Sequence, residues 1–271
     1  MQTPTVISAM TIAGSDSGGG AGIQADLKTF AAHRVHGLSA IAALTAQHTR
    51  GVTAVHVPDI GFLRAQLDAC FDDFDIGAVK IGMLATADVI ACVADALETH
   101  RPAHIVLDPV MVATSGAKLL QDDALHALRT RLLPLASIVT PNIPEAELLT
   151  GRVIANANDA AAALAALRAM GARTVLLKGG HLAEGASVVD RYNDGTVDAE
   201  FIHDRLALEG HGTGCTLASA IAANLCLGMP LPLAVEAATD YIERALRGGY
   251  RPGRGDVVVL DHFGAALAAS R

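Results

Sequence analysis

The chain has 271 residues, of which 51% are hydrophobic and 18% charged, and this balance excludes general disorder and favours a folded core. The formal net charge is -8 and aromatic residues make up only 3% of the chain. Without a basic surface or a set of stacking rings, we expect no binding to nucleic acid. Four cysteines lie far apart with no CxxC pair, which disfavours a zinc ribbon or a disulfide scaffold and predicts reduced thiols in a cytoplasm.

Two segments of the sequence could be taken for a signal peptide or a membrane span, and neither has the pattern of one. The N-terminal segment MQTPTVISAM has no basic region leading into an apolar one, so we expect no signal peptide. The least polar stretch, residues 217–238, is interrupted by Asn224, Gly228 and two prolines. Such interruptions predict two buried helices there, and we expect no partner in the membrane.

Short apolar runs alternate with longer amphipathic patterns over most of the chain. Runs without polar alternation are typical of strands buried on both faces, and apolar residues at three-and-four spacing predict helices. The alternation predicts an α/β fold with a doubly wound, mostly parallel central sheet and helices on both faces, in one domain over residues 1–271. The predicted strands are VISAMTIAG, LSAIAALTAQ, AVKIGML, HIVLDPV, SIVTPN and TVLLKGG. The predicted helices are GIQADLKTFAAHR, IGFLRAQLDACFDDF, ADVIACVADALETH, DDALHALRTRLLP and NDAAAALAALRAM.

Two segments depart from this alternation. SVVDRYNDGTVDAEFIH predicts a hairpin that turns at Asn193, Asp194 and Gly195, which would give the sheet a small antiparallel edge. Residues 215–247 predict two helices separated at residues 228–230. In a sheet of this kind the ligand cleft is expected at the carboxyl ends of the strands.

The segment TIAGSDSGGGAGIQAD follows a predicted strand and precedes a predicted helix. Residues 20–25 fit the dinucleotide fingerprint GxGxxG/A, but the following region GLSAIAALTAQH supplies no ribose-binding acid at the expected distance. A dehydrogenase is therefore disfavoured. The glycines either let the backbone approach a small ligand, with Gly14 at the strand end and Asp26 one turn into the helix, or form a plain flexible turn.

The run EGHGTGCTLASA places Gly212, Thr213, Gly214 and Cys215 where a glycine turn opens into a helix. Backbone N–H groups aimed at one point together with a helix start form an anion-binding site, which suits a phosphoryl group in transfer. Helix amides also lower the pKa of a thiol, so we expect a Cys215 thiolate. The alternative is a tight turn with a packed cysteine.

Polar side chains follow three further predicted strands. Asp108 ends one strand, Asn142 and Glu145 follow the next, and Lys178 ends a third. Carboxylates from separate strand ends are suitable ligands for a hydrated Mg²⁺ on ATP phosphates, and a lysine there is a suitable phosphate cation. Glu145 could alternatively only favour a helix start, and Lys178 could be an ordinary surface lysine. All these groups are expected at the same sheet edge.

In their order along the chain, seven motifs resemble those of the ribokinase-like kinases. They are AGSDSGGGAGIQADLKT, ALTAQHTRGV, KIGML, VLDPVM, TPNIPEAELL, LLKGG and HGTGCTLASAIAA. Within them, the chain is similar nearly end to end to the hydroxymethylpyrimidine/phosphomethylpyrimidine kinases of thiamin biosynthesis. Cys215 stands where most sugar kinases of the superfamily carry an aspartate. The resemblance implies ATP-dependent phosphorylation of 4-amino-5-hydroxymethyl-2-methylpyrimidine and then of its monophosphate. It also implies a homodimer.

By the same resemblance, Gln47 pairs with the aminopyrimidine edge, Met83 lies against the ring, and Gly14 and Asp26 line the substrate pocket. The polar strand-end residues handle ATP and Mg²⁺, and residues 212–215 form the anion hole with Cys215 as the base. ATP-binding residues are then Asp108, Asn142 and Lys178, and metal-binding residues are Glu145 and Asp108. A pyridoxal kinase or dual-specificity enzyme and a non-catalytic nucleotide or vitamer-binding module are the alternatives.

Overall fold

A nine-stranded sheet forms the centre of the computed structural model of the protein, which describes residues 6–112, 116, 119–121 and 123–268. The strands are β1 (Ser8–Gly14), β2 (His36–His48), β3 (Gly51–His56), β4 (Ile76–Ile81), β5 (His104–Leu107), β6 (Ile138–Val139), β7 (Val175–Leu177), β8 (Ser187–Asn193), β9 (Asp198–Asp204), β10 (Gly210–His211) and β11 (Val258–Val259). The helices are α1 (Gly22–Ala32), α2 (Ile60–Asp73), α3 (Ala87–His100), α4 (Ala124–Ala127), α5 (Ile143–Thr150), α6 (Ala157–Ala169), α7 (Thr213–Cys226), α8 (Leu231–Arg247) and α9 (His262–Ala268).

The strand order of the central sheet is β3-β2-β1-β4-β5-β6-β7-β8-β9. From β2 to β7 every neighbouring pair is parallel, which confirms the doubly wound, mostly parallel architecture. The predicted hairpin is confirmed as β8 and β9, which pair antiparallel. Its turn is held by the Asp194 carboxylate, which accepts hydrogen bonds from the backbone N–H groups of Thr196 and Val197.

The opposite edge of the sheet is antiparallel as well, which the sequence did not predict. There β2 runs on beyond β1 and turns back into β3, a short strand whose side chains are mostly exposed. The parallel part of the sheet is therefore flanked by antiparallel strands at both edges, whereas the sequence predicted them at one edge only. A second missed feature is the two-stranded parallel ladder of β10 and β11, whose strands are too short to give a periodic pattern.

Alternate residues of each central strand face opposite layers of helices. Larger side chains such as Met10 and Ile12 of β1 pack with α2 and α3 on one face. Small side chains such as Ala9 of β1 and Ala78 of β4 face α7 on the other. Because only small groups lie between them, α7 is buried along almost its whole length, which accounts for its apolar, alanine-rich sequence.

Most predicted helices are confirmed within a few residues, including the separation of α7 from α8 at residues 228–230. The predicted helix DDALHALRTRLLP is different: α4 passes into a π-helical turn (Leu128–Leu132) and a 3₁₀ turn (Leu133–Leu135), and residue 122 lies outside the described residues. Pro134 removes an amide that a continuing helix needs. Among the residues that the structure describes, no helix is both long and apolar enough to cross a membrane.

A buried ion pair ties four of these elements together. Lys80 of β4 places its Nζ 2.9 Å from the Asp26 carboxylate of α1, and both side chains are fully buried. Thr11 of β1 and Ser219 of α7 donate hydroxyl hydrogen bonds to the same carboxylate, at 2.6 Å and 2.7 Å. Burial lowers the pKa of Lys80, but the Asp26 charge, its hydrogen bond to Lys80 and the more distant Asp108 charge act together with Cys215 to give a net rise, so the ammonium keeps its proton.

Removing either member of this pair is expected to destabilise the fold. Lys80→Met leaves a buried carboxylate without its cation, and Asp26→Asn leaves a buried ammonium without its anion, each at a cost of about 3 to 5 kcal/mol. The double variant leaves no unpaired charge, so its loss in unfolding free energy should be smaller than the sum of the two single losses. Urea unfolding followed by circular dichroism measures the unfolding free energy of the unmodified protein, the two single variants and the double variant. Additive losses would contradict the coupling.

Candidate active site

A cavity of about 640 Å³ opens at the carboxyl edge of the parallel strands. It lies where a doubly wound sheet is expected to bind its ligand. Eleven of the twelve residues singled out in the sequence line its wall, and Asp26 does not. Those lining it are Gly14, Gln47, Met83, Asp108, Asn142, Glu145, Lys178, Gly212, Thr213, Gly214 and Cys215.

One side of the cavity carries a lysine between two carboxylates. Lys178 Nζ lies 3.0 Å from Asp108 Oδ1 and 3.8 Å from Glu145 Oε2. Asn142 and Lys178 pair across a parallel β-bridge beyond β6 and β7, which sets these residues side by side. Lys178 is therefore not an ordinary surface lysine, since its side chain is only 15% exposed and is paired with acids.

Glu145 has two roles in this arrangement. Its carboxylate accepts a hydrogen bond from the Asn142 N–H while the Asn142 side chain accepts one from the Glu145 N–H, so the pair forms a capping box at the start of α5. The alternative of a helix-start role is thus realised, but the same carboxylate also faces Lys178. Burial raises the pKa of Glu145 to about 7, with Lys178 opposing and Asp108 adding to the rise.

Asp108 has an unused acceptor. Its Oδ2 atom is buried and has no hydrogen-bond partner among the described residues, while Oδ1 is close to Lys178 and to the Thr140 hydroxyl. Across the same part of the chain, no group of three or more His, Cys, Asp or Glu side chains is arranged to hold a metal. A cation that keeps most of its ligands as water and phosphate oxygens needs only one or two carboxylates, so Asp108 and Glu145 fit Mg²⁺ on a polyphosphate.

The first turn of α7 faces this group directly. Gly212 has a φ of +85°, and a Cβ there would collide with the carbonyl oxygen of Gly20, so glycine is required. A Cβ at Gly214 would lie 3.1 Å from Lys178 Nζ and 3.4 Å from Asp108 Oδ2. No side chain that the structure describes caps α7, which leaves amides of its first turn available to an anion.

Cys215 does not carry the charge that we expected. Burial raises the pKa of its thiol to about 11; Lys80 opposes the rise, and the Asp26 and Asp108 carboxylates add to it. At neutral pH the group is therefore a thiol in the free protein, and the expectation of a thiolate stabilised by helix amides is corrected. Desolvation has the largest effect on this pKa, and the backbone N–H that lowers it is that of Gly22 and not one from the start of α7.

The opposite side of the cavity holds the residues expected to contact a ring. Gly14 ends β1 against Met83, since a Cβ at Gly14 would lie 2.8 Å from Met83 Cε. Gln47 lies beside His211, with 3.2 Å between the end of the Gln47 amide and His211 Nε2. Asp26 is a correction: it points into the protein toward Lys80, fully buried, and does not line the pocket as we expected.

Among the residues of the cavity wall that sequence reasoning missed, Asp16 and His211 form a polar pair. The Asp16 carboxylate accepts backbone hydrogen bonds from Gly18, Gly20 and Ala21, so it organises the glycine-rich loop, and it lies 3.0 Å from His211 Nε2. An aspartate followed by glycines is a signal for such a loop, because its side chain commonly accepts from amides two or more residues on. His211 directly precedes the predicted anion site, but its partners are distant in sequence.

A doubly wound sheet whose carboxyl edge brings a free helix start beside a lysine and two carboxylates has the groups that a kinase needs, and it is the arrangement that the resemblance to ribokinase-like kinases implied. The family model described as phosphomethylpyrimidine kinase matches residues 16–260. The chain belongs to this family.

A hydroxymethylpyrimidine/phosphomethylpyrimidine kinase of Rhizobium meliloti is 51% identical over 255 residues, covering 92% of this chain and 95% of the relative. A solved phosphomethylpyrimidine kinase of Clostridium difficile has a TM-score of 0.79 at 42% identity and covers 88% of this chain and 99% of its own. The ADP complex of Bacillus subtilis pyridoxal kinase has a TM-score of 0.89 at 33% identity, with 97% of this chain and 100% of that chain covered.

The raised thiol pKa predicts slow alkylation of Cys215. Iodoacetamide reacts with thiolates, so the rate at Cys215 should rise about tenfold per pH unit from pH 7 up to about pH 10, and at pH 7 should be about 10² below that of an ordinary cysteine. Mass spectrometry of the peptide that contains Cys215 measures the rate, with the same peptide free in solution as the control. A rate that stops rising below pH 8 would show a lowered pKa instead.

Proposed function

We propose that the protein phosphorylates 4-amino-5-hydroxymethyl-2-methylpyrimidine at its hydroxymethyl group with ATP, and then phosphorylates the monophosphate to the diphosphate for thiamin biosynthesis. The observation that carries this proposal is the contact between the first turn of α7 and the Lys178–Asp108 pair in one cavity with Gln47. Amides and an ammonium there can neutralise the charge of a phosphoryl group as it moves from donor to acceptor. The family membership supports the same reaction.

The polar strand ends are the proposed nucleotide side. Lys178 and Asn142 would contact ATP phosphates, and Asp108 and Glu145 would hold Mg²⁺ through their carboxylates. Bound Mg²⁺ supplies charge neutralisation on the phosphate oxygens. A Glu145 with a pKa near 7 can lose its proton readily when a cation is present, so this acid suits the role.

The ring side is proposed to select the substrate. The Gln47 amide has both a donor and an acceptor, which is what an aminopyrimidine edge requires. Met83 and Gly14 would lie against the ring. A thioether packs well there, and the missing Cβ of Gly14 lets the Met83 side chain approach closely. The acceptor hydroxyl would then be near residues 212–215.

The two phosphorylations differ in their need for a base. In the first, the hydroxymethyl oxygen bonds to the γ-phosphorus, the bond to the ADP oxygen breaks, and the hydroxyl proton must leave. We propose that Cys215, in its deprotonated form, receives this proton. The phosphate monoester has a second pKa of about 6 and is already mostly an anion at pH 7, so the second step requires no base.

An assay of ATP consumption with three acceptors in parallel tests the proposed function. The aminopyrimidine alcohol and its monophosphate should both be phosphorylated, and pyridoxal should be a poorer acceptor. Preference for pyridoxal would favour the pyridoxal kinase alternative, whose structural support is the Bacillus subtilis enzyme. Binding of ATP and pyrimidine without turnover would favour a binding module.

Replacement of Cys215 separates the two steps. For the unmodified protein, the rate of the first phosphorylation should rise about tenfold per pH unit between pH 7.5 and 9.5, because the thiolate fraction rises toward a pKa of about 11. Cys215→Ala should lower that rate about 10² to 10⁴-fold and remove the pH dependence, with a much smaller effect on the second step. Cys215→Ser keeps the size without the ionisation and is the matched control. Equal losses in both steps would show that Cys215 only positions its neighbours.

Composition, sheet topology and resemblance support proposals on localisation, domain organisation and oligomeric state. Four free cysteines are in keeping with a cytoplasmic protein. Residues 1–271 are proposed to act as one kinase domain, because both helix layers cover a single continuous sheet. By resemblance the protein is proposed to be a homodimer that acts on small molecules and not on nucleic acid or membranes. Sedimentation analysis measures the oligomeric state.

A further inference from the structure

A row of four polar groups crosses the ring side of the cavity, from Thr45 through Gln47 and His211 to Asp16. One end of the Gln47 amide lies 3.1 Å from Thr45 Oγ1, and the other end lies 3.2 Å from His211 Nε2. His211 Nε2 also lies 3.0 Å from Asp16 Oδ2. The oxygen and nitrogen of an amide have the same shape, so the protons of the neighbouring groups decide which end is which.

The charge of Asp16 determines where the proton of the His211 ring lies. Its side chain is 2% exposed and accepts hydrogen bonds from the N–H groups of Gly18 at 2.7 Å, Gly20 at 3.0 Å and Ala21 at 2.8 Å. Burial raises the pKa of Asp16, but the hydrogen bonds from His211 and from the amides outweigh it, and the net shift is downward. Asp16 is therefore a carboxylate, which can only accept hydrogen bonds.

His211 must then carry a proton on Nε2. A bare Nε2 lone pair 3.0 Å from the Asp16 carboxylate would place two acceptors in contact, so the nitrogen donates to Asp16. This holds for the neutral ring with its proton on Nε2 and for the imidazolium alike. The end of the Gln47 amide that faces the same N–H has to be the acceptor, which is the oxygen.

Thr45 gives the same answer independently. Its hydroxyl has one proton, and the carbonyl oxygen of Ser15 lies 2.8 Å away, nearer than the Gln47 amide at 3.1 Å. With that proton donated to Ser15, the hydroxyl has only lone pairs left for Gln47. The end of the amide that faces Thr45 is therefore the NH₂ group.

We propose that Asp16 and His211 fix the polarity of the Gln47 amide, with its oxygen toward His211 and its nitrogen toward Thr45, and that this polarity decides which way round the substrate ring binds. The inference rests on the proposed function. The oxygen keeps a lone pair for the 4-amino group, and the nitrogen keeps an N–H for the adjacent ring nitrogen. The amino group then lies on the His211 side.

This orientation aims the reacting group. The hydroxymethyl group is on the ring carbon next to the one that carries the amino group, on the side away from the ring nitrogen. With the amino group toward His211, the hydroxymethyl group lies at the His211 end of the ring edge and not at the Thr45 end. His211 directly precedes Gly212 to Cys215, and all of these residues line the same cavity. The opposite amide polarity would reverse the ring edge and place the hydroxyl at the Thr45 end, away from His211. His211 is thus a positioning residue that acts through Gln47.

The same polarity should reject a ring with the inverted pattern. In 5-hydroxymethyl-2-methylpyrimidin-4(3H)-one the ring nitrogen carries a proton and position 4 carries an oxygen. The ring N–H would then face the Gln47 N–H, and the ring carbonyl oxygen would face the Gln47 oxygen. Unpaired buried polar groups of this kind reduce binding strongly. We expect kcat/KM for the aminopyrimidine to exceed that for the oxo analogue by at least about 10² in the unmodified protein.

Two pairs of variants test the assignment. His211→Leu removes the donor and frees the amide to turn, so the amino/oxo ratio of kcat/KM should fall to about tenfold or less, whereas His211→Gln retains an N–H and should keep most of the ratio. At the other end, Thr45→Val removes the acceptor for the amide nitrogen and should lower the ratio, with Thr45→Ser as its matched control. The ratio is informative because a general loss of packing lowers both rates together.

The outcomes separate this inference from the function on which it rests. If the unmodified protein fails to phosphorylate the aminopyrimidine alcohol, the proposed function is at fault. If it does so and His211→Leu and Thr45→Val both keep the full ratio, the amide polarity is not set by these residues and the inference is overturned. ¹⁵N NMR of the histidine rings is an independent readout: a proton on His211 Nε2 supports the assignment, and a ring protonated only on Nδ1 overturns it.

Discussion

The Lys80–Asp26 ion pair is the constraint on which the geometry of the cavity depends. It is fully buried, and its carboxylate also accepts from β1 and from α7. Ser219, which makes the α7 contact, lies one helical turn beyond Cys215, so the first turn of α7 is fixed relative to the strand ends by a hydrogen bond just below it. A buried charge pair tolerates little displacement, because separation leaves two desolvated charges unpaired. The amides at the start of α7 are therefore held in place before any ligand arrives.

Much of the site could be predicted because strand ends and glycine turns are local signals. Asp108, Asn142 and Lys178 each follow a buried strand, and parallel strands bring their ends to the same edge. Asp26 could not be placed in this way. Its position near a helix start is compatible with either face of α1, and only the lysine within the apolar run AVKIGML signals that a buried acid is needed. His211 and Thr45 depend on partners that are distant in sequence, and no local pattern reports those.

The fold shows a similar division. Long amphipathic helices and buried strands were predicted well, whereas β3, β10 and β11 were not. The side chains of β3 are mostly exposed, so it forms no buried apolar run, and β10 and β11 have only two residues each and carry no period of their own. The thiol of Cys215 shows the corresponding problem for electrostatics. A helix start contributes about 0.3 to 1 kcal/mol to a nearby charge, but desolvation can shift a pKa by more than that. The sequence shows where the helix begins but not how far the Cys215 thiol is removed from water. It therefore predicts the smaller effect on the pKa and misses the larger one.

The contact between Gly20 and Gly212 has a consequence for how such a protein can diversify. The glycine-rich loop and the turn before α7 touch backbone to backbone, with no side chain between them to act as a spacer. Neither segment can lengthen, shorten or slide without dislodging the other. Changes that keep this contact can alter the cavity only through exchanges of the side chains that line it, such as Gln47 and Met83, while the main-chain path around them stays unchanged.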